Sequence, residues 1–325
     1  MPSPPFALAF ARYRFSFRLR SALQLPAYAG SLLRGQFGAA LRHVACMTGA
    51  PRCDGCSLLA TCPYPAIFET PAPTSHAMQH FSQVPNPYVL EPPPLGTRQI
   101  AAHQQLSFSL VLIGDACRQL PLVVFALQRA LQRGLGPPTA RASGDLEEVA
   151  WQRGDDAWNP AHYEPVWQQG DQALASHSCV RALPPPSHAP LRLVFHTPLR
   201  LQHQGQPLLP AALSPRKFIA DLLRRITLLA EFHAAQPALI PDVQELVALA
   251  ETLEHHPKLS WQDWSRYSSR QQQTMTLGGA VGEWTFSGDL ARLTPWLWLG
   301  QWLHVGKNAT MGLGHYSLQK EAEKT

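Results

Sequence analysis

The sequence predicts an α+β fold of two tandem ferredoxin-like domains, with a four-cysteine metal-binding insertion in the first. Three observations predict this architecture. The order strand, helix, strands, helix, glycine loop, strand occurs twice along the 325 residues, and this is the order of the split βαβ motif. A proline stretch at 183–190 separates the two copies, and four closely spaced cysteines lie in the first copy. We therefore expect an N-terminal domain over 1–186 and a C-terminal domain over 187–325.

The first strand is predicted over Arg12–Arg20, where RYRFSFRLR alternates strictly between apolar side chains and basic or polar ones. This period of two is typical of a strand with one apolar face and one polar face. Four arginines lie on the polar face, and no acidic residue interrupts them in the sequence. An all-basic face of this kind favours contact with the phosphates of a nucleic acid.

Helical periodicity and turn residues indicate the other elements of the first domain. A helix over 29–45 is predicted from an apolar stripe with helical spacing, formed by Leu33, Phe37, Leu41 and Val44. The remaining predictions are a proline-rich connection at 85–96, a strand at 105–113, a helix at 121–133 and a strand from Leu146.

The second domain is predicted in the same way. A helix over 215–235 begins with Ser214 as N-cap and Pro215 at its first position. Its apolar stripe is formed by Phe218, Leu222, Ile226 and Leu229. Residues 236–272 are interpreted as an inserted helix and loop. The other predictions are a strand at 191–201, a strand region at 274–288, a helix capped by Thr294, a glycine loop at 306–314 and a last strand in HYSLQ.

Four cysteines lie within seventeen residues, at Cys46, Cys53, Cys56 and Cys62. Thiolates at this density suit a tetrahedral sulfur site, and Zn²⁺ is its commonest occupant. We expect a structural zinc, because four protein ligands leave no position open for water. The alternatives are reduced, packed thiols or an iron–sulfur cluster, although ferredoxin-type spacing is absent. A disulfide pair is less expected, since nothing marks the chain as secreted.

Composition narrows the function classes. The net charge is +5, and only five of the 27 basic residues are lysines. Arginine is the residue suited to planar phosphate recognition and to stacking on bases. No run of 18 apolar residues occurs, and the basic residues near the start follow the apolar stretch, the reverse of a signal peptide. We expect a cytoplasmic protein with no membrane partner.

The loop GKNATMGLG, between a helix and the final strand, resembles the glycine-rich loop of the RAMP superfamily, the repeat-associated RNA-binding proteins of CRISPR systems. Two early segments, LLRGQFGAALRHVAC and PRCDGCSLLATCPYPAIFE, resemble the first domain of the CRISPR pre-crRNA-processing endoribonucleases. The segments YSSRQQQTMTLGGAVGEWTFSGDL and LGQWLHVGKNATMGLGHYSL resemble the C-terminal region of these enzymes. The fold that this resemblance implies is the RRM/RAMP-type variant of the ferredoxin-like domain.

The resemblance implies an endoribonuclease that recognises CRISPR repeat RNA, cuts the transcript once per repeat, and can stay bound to the crRNA product. The implied chemistry is general acid–base catalysis without a metal, in which a 2′-hydroxyl attacks the adjacent phosphate and leaves a 2′,3′-cyclic phosphate. The alternative is a non-catalytic RAMP subunit that binds crRNA beside other subunits of a CRISPR effector complex. A zinc-dependent DNA-binding regulator is disfavoured, because no helix-turn-helix or zinc-finger spacing occurs.

The resemblance also indicates catalytic candidates on the first helix. Family members carry a histidine near the end of this helix and a tyrosine near its start, and His43 and Tyr28 stand in those places. His43 is the first candidate, since imidazole titrates near neutral pH. Its alternative role is a surface histidine beside the cysteines. Arg34 is the third catalytic candidate, and it shares with Arg42 the alternatives of orienting the phosphate or holding the cysteine site.

The RNA-binding candidates combine arginines, an aromatic residue and the glycine loop. Glycines allow the backbone to approach a phosphate, and their N–H groups can form an anion nest to which Lys307 adds a charge. His304 is expected to bond a carbonyl at a helix end, and His233 and the tryptophans near 300 are expected in the core. The full candidate set is Arg12, Arg14, Arg18, Arg42, Tyr267, Arg270, His304, Gly306, Lys307, Asn308, Gly312 and Gly314.

Overall fold

The computed structural model describes residues 8–73, 84–96, 98–136, 140–154, 162–235, 242–263, 265–268 and 273–320. Its mixed α/β fold contains one larger antiparallel sheet in each half of the chain. The first half comprises β1 (Phe10–Leu19), β2 (Leu23–Leu25), α1 (Gly30–Ala45), α2 (Pro63–Phe68), β3 (Tyr88–Glu91), β4 (Arg98–Ile100), β5 (Gln105–Ile113), α3 (Leu120–Arg133), β6 (Gly144–Gln152) and β7 (Tyr163–Gln168).

The second half is built from the same kinds of element. It comprises β8 (Leu191–Leu199), β9 (Gln202–His203), β10 (Gln206–Pro207), α4 (Pro215–His233), α5 (Val243–Glu251), β11 (Glu254–Gln262), β12 (Ser265–Ser268), β13 (Gln273–Thr276), β14 (Gly279–Ser287), α6 (Thr294–Leu303) and β15 (Tyr316–Lys320). The chain passes from the first sheet to the second between Gln168 and Leu191, and the predicted boundary at 186/187 falls in this connection.

The two sheets share one pattern of strand order. The first runs β3-β5-β1-β6-β7, and the second runs β11-β14-β8-β15. In both, the strand that comes first in the chain is central and lies between the third and fourth strands of its unit. A strand, a crossover helix and a return strand produce this arrangement in a split βαβ unit. The central position of β1 and β8 places their polar side chains in the middle of each sheet.

The apolar stripes predicted from the sequence form the two cores. The alternate residues Tyr13, Phe15 and Phe17 of β1 are fully buried, and they share a cluster with residues of α1 and α3. The stripe of α4 is also buried, and the Ser214 hydroxyl caps this helix by accepting from the Lys217 N–H at 3.3 Å. Burial of apolar surface thus fixes which face of each sheet the helices cover.

The cores of the two halves touch at one end of the first sheet. Phe10 belongs to the core of the second half, and its ring lies 5.5 Å from that of Trp302 on α6. The tryptophans of α6 are buried, as predicted, and His233 is buried with Nε2 donating to the Pro85 carbonyl at 2.7 Å. This packing holds the two sheets next to each other.

Two predictions about elements of the second half are wrong. Residues 254–262, interpreted as part of a helix and loop, form the edge strand β11. This strand contains Pro257, and its side chains are exposed or only partly buried. An edge position tolerates both features. Because neither face is fully buried, the sequence lacks the alternation of apolar and polar residues that predicts a strand. Thr294 does not cap α6, because its hydroxyl donates instead to the carbonyls of Ser187 and Leu290.

No helix in the described part of the chain is long and apolar enough to cross a membrane.

Candidate nucleic-acid interface

A cleft of about 550 Å³ opens between the polar face of the first sheet and the end of the second sheet that carries the glycine loop. The position of β1 in the centre of its sheet brings two arginines to the floor of this cleft. The lining from the first half includes Arg12, Arg14, Glu91, Ser109, Gln152 and Tyr163, and from the second half it includes His196, Thr197, Gly312 and His315.

Arg12 is the most constrained charge in the cleft. Its side chain is 3% exposed, and Nη2 donates to Glu91 Oε1 at 2.7 Å. Nη1 donates to the Gln152 amide oxygen at 3.1 Å, and the guanidinium lies 4.5 Å from the centre of the Trp302 ring. A guanidinium with this many partners is held in one place. Arg12 therefore joins the two halves, and its predicted direct contact with RNA is wrong because the side chain is buried.

Three imidazoles lead from the cleft to Glu91. His196 is exposed, and its ring lies 5.7 Å from that of His315. His315 stacks on His304, with ring centres 4.4 Å apart, and His304 Nε2 lies 3.1 Å from Glu91 Oε1. Burial lowers the pKa of His304. Burial also acts to raise the pKa of Glu91, but Arg12 and His304 outweigh it and hold that pKa below its ordinary value.

His304 and the glycine loop have a different role from the one predicted. His304 is fully buried, so it cannot touch RNA directly, although the expected carbonyl contact exists, from Nδ1 to Leu313 at 3.2 Å. The N–H groups of Lys307 and Gly314 donate to the carbonyls of Arg200 and Pro198, each at 2.9 Å. These N–H groups are therefore not available for an anion nest.

The glycines of the loop satisfy the fold itself. Gly312 and Gly314 have φ values of +90° and +69°, and a Cβ on Gly314 would lie 1.8 Å from the Val305 carbonyl oxygen. Gly306 and Asn308 also have positive φ. Lys307 is exposed beside this loop, so its charge remains a candidate for phosphate contact.

The predicted all-basic face of β1 is wrong, because the neighbouring strand supplies acidic partners. Strand β6 pairs with β1 along most of its length. The ion pairs across the two strands join Arg14 to Glu148 at 3.5 Å, Arg18 to Glu147 at 2.7 Å and Arg20 to Asp145 at 2.6 Å. Arg14 also lies 4.6 Å from the centre of the Tyr163 ring, at the cleft. Arg14 and Arg18 are thus accessible cations whose charge is partly balanced.

The three predicted catalytic residues do not form one site. Tyr28, at the start of α1, is buried and donates its hydroxyl proton to the Met311 carbonyl in the glycine loop. Burial raises the pKa of Tyr28, and its hydroxyl holds the glycine loop against the start of α1. His43 lies thirteen residues into the helix from Gly30, which corresponds to about 20 Å along the axis.

Arg34 is also held away from His43. Nine residues separate the two, which places them on opposite faces of an α-helix. Arg34 Nε donates to the Tyr88 hydroxyl at 2.9 Å, and the guanidinium lies 4.6 Å from the Phe68 ring centre. Arg34 and His43 therefore lie on different faces of α1, and the catalytic role of each stays a prediction.

His43 has a cationic neighbour that the sequence did not indicate. His43 is exposed near the end of α1, and Arg133, at the end of α3, places Nη2 2.5 Å from His43 Nε2. Because a guanidinium can only donate, the imidazole nitrogen accepts. Arg42, predicted to bind RNA, instead donates to the Ala50 carbonyl at 2.5 Å and supports the cysteine loop.

The four cysteines line one small cavity at the end of α1 that also contains Thr48 and Tyr64. Cys46 ends α1 and Cys62 precedes α2, so the two helices hold the outer pair while the turn between them carries Cys53 and Cys56. Thr48 Oγ1 lies 3.8 Å from Cys46 Sγ and 3.7 Å from Cys56 Sγ. The donor set suits zinc.

Among the described residues, however, the group of three donors that all lie within 4.8 Å of one another is Glu91, His304 and His315.

Sequence reasoning missed Glu91, His196 and His315. Glu91 precedes three prolines, and His315 follows the last glycine of the loop, so proximity to proline and glycine turns was the available signal. The prediction for Arg270 and for the side chain of Tyr267 lies outside the residues that the structure describes.

A protein-family model matches each half of the chain. Residues 8–179 match the family model of the AF_1859_N N-terminal domain. Residues 193–316 match the family model of the CRISPR-associated endoribonuclease Cas6. The resemblance to CRISPR pre-crRNA-processing endoribonucleases, predicted from the sequence, is confirmed by the second match.

Solved structures resemble this chain in fold, although their sequence identity to it is low. A Cas6 of Thermus thermophilus in a product complex has a TM-score of 0.56 and 17% identity, and the likeness covers 95% of this chain and all of the other. A partial Cas6-RT-Cas1–Cas2 complex has a TM-score of 0.55 and 14% identity, and covers all of this chain and 48% of the other. An uncharacterized protein of Archaeoglobus fulgidus is 28% identical over 111 residues, which are 34% of this chain and only 37% of the length of that relative.

Proposed function

We propose that this chain, which belongs to the AF_1859_N N-terminal domain family, is an endoribonuclease that processes CRISPR transcripts. Residues 193–316 match the Cas6 model, and the tandem ferredoxin-like arrangement with a cysteine insertion is part of the proposal. The observation that carries it is the cleft between the two sheets, with Arg14, Tyr163 and His196 on its walls. Cations and aromatic rings on a groove are the groups that bind single-stranded RNA.

In this proposal the cleft binds the repeat RNA and orients it. Arg14 contacts phosphates, and the Tyr163 ring beneath its guanidinium offers a surface for a base. Arg18 and Lys307 add charge at the rim. The partners of this chain are CRISPR repeat RNA and its crRNA product, and other CRISPR proteins are proposed partners by analogy with the Cas6-RT-Cas1–Cas2 complex.

The chemistry is proposed for His43 and Arg133, at the other end of α1. A phosphate that approaches this end attracts the Arg133 guanidinium. The hydrogen bond from Arg133 Nη2 to His43 Nε2 then breaks, and the imidazole nitrogen becomes free to accept a proton. His43 then accepts the proton of the RNA 2′-hydroxyl, and Arg133 stabilises the negative charge of the phosphorane. As the 2′-oxygen bonds to phosphorus, the bond from phosphorus to the 5′-oxygen breaks and this oxygen takes a proton from water. The products are a 2′,3′-cyclic phosphate and a free 5′-hydroxyl, and no metal takes part in this step.

Cleavage of repeat RNA in EDTA tests the proposal. The full chain should cut the repeat once and leave a 2′,3′-cyclic end. A matched RNA with one 2′-deoxy sugar at the cut position should bind equally and stay intact, because it lacks the attacking hydroxyl. If the deoxy substrate is cut, or if repeat RNA stays whole in every preparation, the proposed activity is wrong.

A second candidate function is a non-catalytic subunit that binds crRNA. It is favoured by one observation, the distance of about 20 Å along α1 between His43 and the start of the helix, where Tyr28 lies. This candidate predicts tight, salt-dependent binding of repeat RNA without any cleavage, so the same assay separates the two functions.

We also propose that the four cysteines hold one structural zinc ion. Their common cavity and their placement between α1 and α2 support this. A bound zinc would stabilise the fold and leave the RNA chemistry to other residues. Elemental analysis should show that Cys53→Ser with Cys56→Ser lowers the zinc content by one ion per chain, and these changes should also lower the melting temperature. A folded protein with four titratable thiols and no cysteine-bound metal would contradict this.

A further inference from the structure

His304 occupies a backbone conformation that a side chain makes unfavourable. Its φ and ψ are 58° and 166°, a region that is essentially restricted to glycine. Among the non-glycine residues with positive φ in the described ranges, His304 is the one whose side chain is fully buried. Such conformations persist where the surroundings fix them, and they cluster at ligand sites. The imidazole of His304 is therefore retained for what it contacts.

The two ring nitrogens of His304 make contacts that call for a cation. Nδ1 lies 3.2 Å from the Leu313 carbonyl, which can only accept, so Nδ1 carries the proton. In a neutral ring, Nε2 then presents its lone pair to Glu91 Oε1 at 3.1 Å. Two acceptors at this distance repel unless a positive group lies between them. A metal-binding histidine typically donates its second ring N–H to a backbone carbonyl or carboxylate, as His304 Nδ1 does to Leu313, and keeps the other nitrogen for the ion.

A third donor lies beside the first two. His315 Nε2 is 3.9 Å from Glu91 Oε1, and the donor atoms of Glu91, His304 and His315 all lie within 4.8 Å of one another. The two imidazole rings are nearly parallel, at 9°, so an ion bound by both needs one ring to tilt. His315 is 12% exposed and lines the cleft, whereas His304 is fully buried, so His315 is the ring expected to tilt.

We propose that Glu91, His304 and His315 bind one divalent transition-metal ion, with zinc as the ion, at the base of the cleft. Two imidazoles and a carboxylate are a donor set that suits zinc and leaves a coordination position open toward the cleft. Arg12, bonded to the same carboxylate at 2.7 Å, orients it as the hydrogen-bond partners of metal-binding carboxylates do. Glu91 comes from β3 and the histidines from the second half, so the ion ties the two walls of the cleft together.

Cobalt titration of the full chain tests this, with Co²⁺ as a spectroscopic substitute for zinc. Cobalt at the cysteines produces a thiolate charge-transfer band, and cobalt at the proposed site does not. We expect the chelator-treated wild type to bind a second ion without a thiolate band and to show shifted imidazole N–H resonances. The variants Glu91→Gln and His315→Gln should weaken this second event by more than about 100-fold and keep the thiolate band. The exposed control His188→Asn should keep both.

His304→Gly keeps the test decisive if a cleft variant folds poorly. Glycine suits the backbone at this position, so this variant should fold while losing the second ion. A wild type that binds cobalt only with a thiolate band, or a second event unchanged in Glu91→Gln and His304→Gly, would overturn the proposal. The readout is metal binding, so it is independent of whether the chain cleaves RNA.

Discussion

The two ends of helix α1 hold their polar groups in opposite ways. At its start, Tyr28 contacts the glycine loop, which adjoins a cleft where Arg12 and His304 are buried and both contact Glu91. At its other end, His43 and Arg133 are exposed and contact mainly each other. Buried, multiply bonded groups are fixed before a ligand arrives, whereas exposed pairs exchange partners readily. The polar groups of the cleft are thus held in place, whereas those at the far end of α1 can change partners.

The largest effect is expected at the exposed end. His43→Ala should slow cleavage of repeat RNA by about 10²–10⁴-fold, the usual contribution of a general acid or base. Binding of the RNA should stay near that of the wild type, because one imidazole adds little to an interface of many phosphates. Single-turnover cleavage and fluorescence anisotropy measure the two quantities. His188→Asn, a change at a remote exposed histidine, is the matched control.

A fully active His43→Ala enzyme would move the chemistry elsewhere. If such an enzyme still spared the 2′-deoxy substrate, the reaction class would stand and Arg133 would become the next residue to change. The contrast between the two ends of α1 would then concern binding alone.

In the cleft, the largest expected effect is on stability. Arg12→Ala should lower the free energy of unfolding by about 3–5 kcal/mol, because it removes the buried guanidinium that pairs with the Glu91 carboxylate. Urea denaturation measures this. The control is Arg20→Ala, which breaks an exposed pair with Asp145 and should cost far less, because solvent screens that pair. Equal losses in the two variants would show that the cleft is not preorganised by Arg12.

A smaller effect is expected where β6 balances the charge of β1. Glu148→Gln should free Arg14 from its ion pair and raise the affinity for repeat RNA about twofold to fivefold. The slope of log affinity against log salt concentration should become steeper by about one unit, which corresponds to one additional phosphate contact. Anisotropy at several salt concentrations measures both changes. Arg14→Ala is the opposite control, and an affinity that is insensitive to both substitutions would exclude this face from the interface.

The smallest effect is expected on the pH dependence of stability, at a buried histidine outside the cleft. Burial lowers the pKa of His233 below its ordinary value of 6.5. The unfolded chain therefore takes up a proton at a higher pH than the folded one, and this part of the stability is lost as the pH falls below about 6.5. His233→Gln keeps a donor for the Pro85 carbonyl and should flatten the pH dependence of unfolding between about pH 7.5 and about pH 5.5. An unchanged slope would assign that dependence to other groups.

Much of the fold followed from local patterns. The alternation of β1, the stripes of α1 and α4 and the Ser214 cap predicted elements within a few residues of their observed bounds. Strand β11 was missed because it lies at a sheet edge, where few side chains are buried and Pro257 is tolerated. The site was predicted less well than the fold. Tyr28 and Arg34 look reactive in sequence, but both are engaged by groups distant in the chain, Met311 and Tyr88.

The sequence by itself determined which faces are apolar, where the cysteines cluster and where the glycine loop lies, because these properties depend on neighbours within a few residues. Only the tertiary structure decided which partner each charged or polar side chain meets. Arg18 meets Glu147, Arg12 meets Glu91, and His304 meets Leu313 and Glu91. The first two of these partners lie 129 and 79 residues away in the chain. Strand pairing brings them together, and the energy of a charge depends on the groups within a few ångströms of it, whatever their separation in sequence.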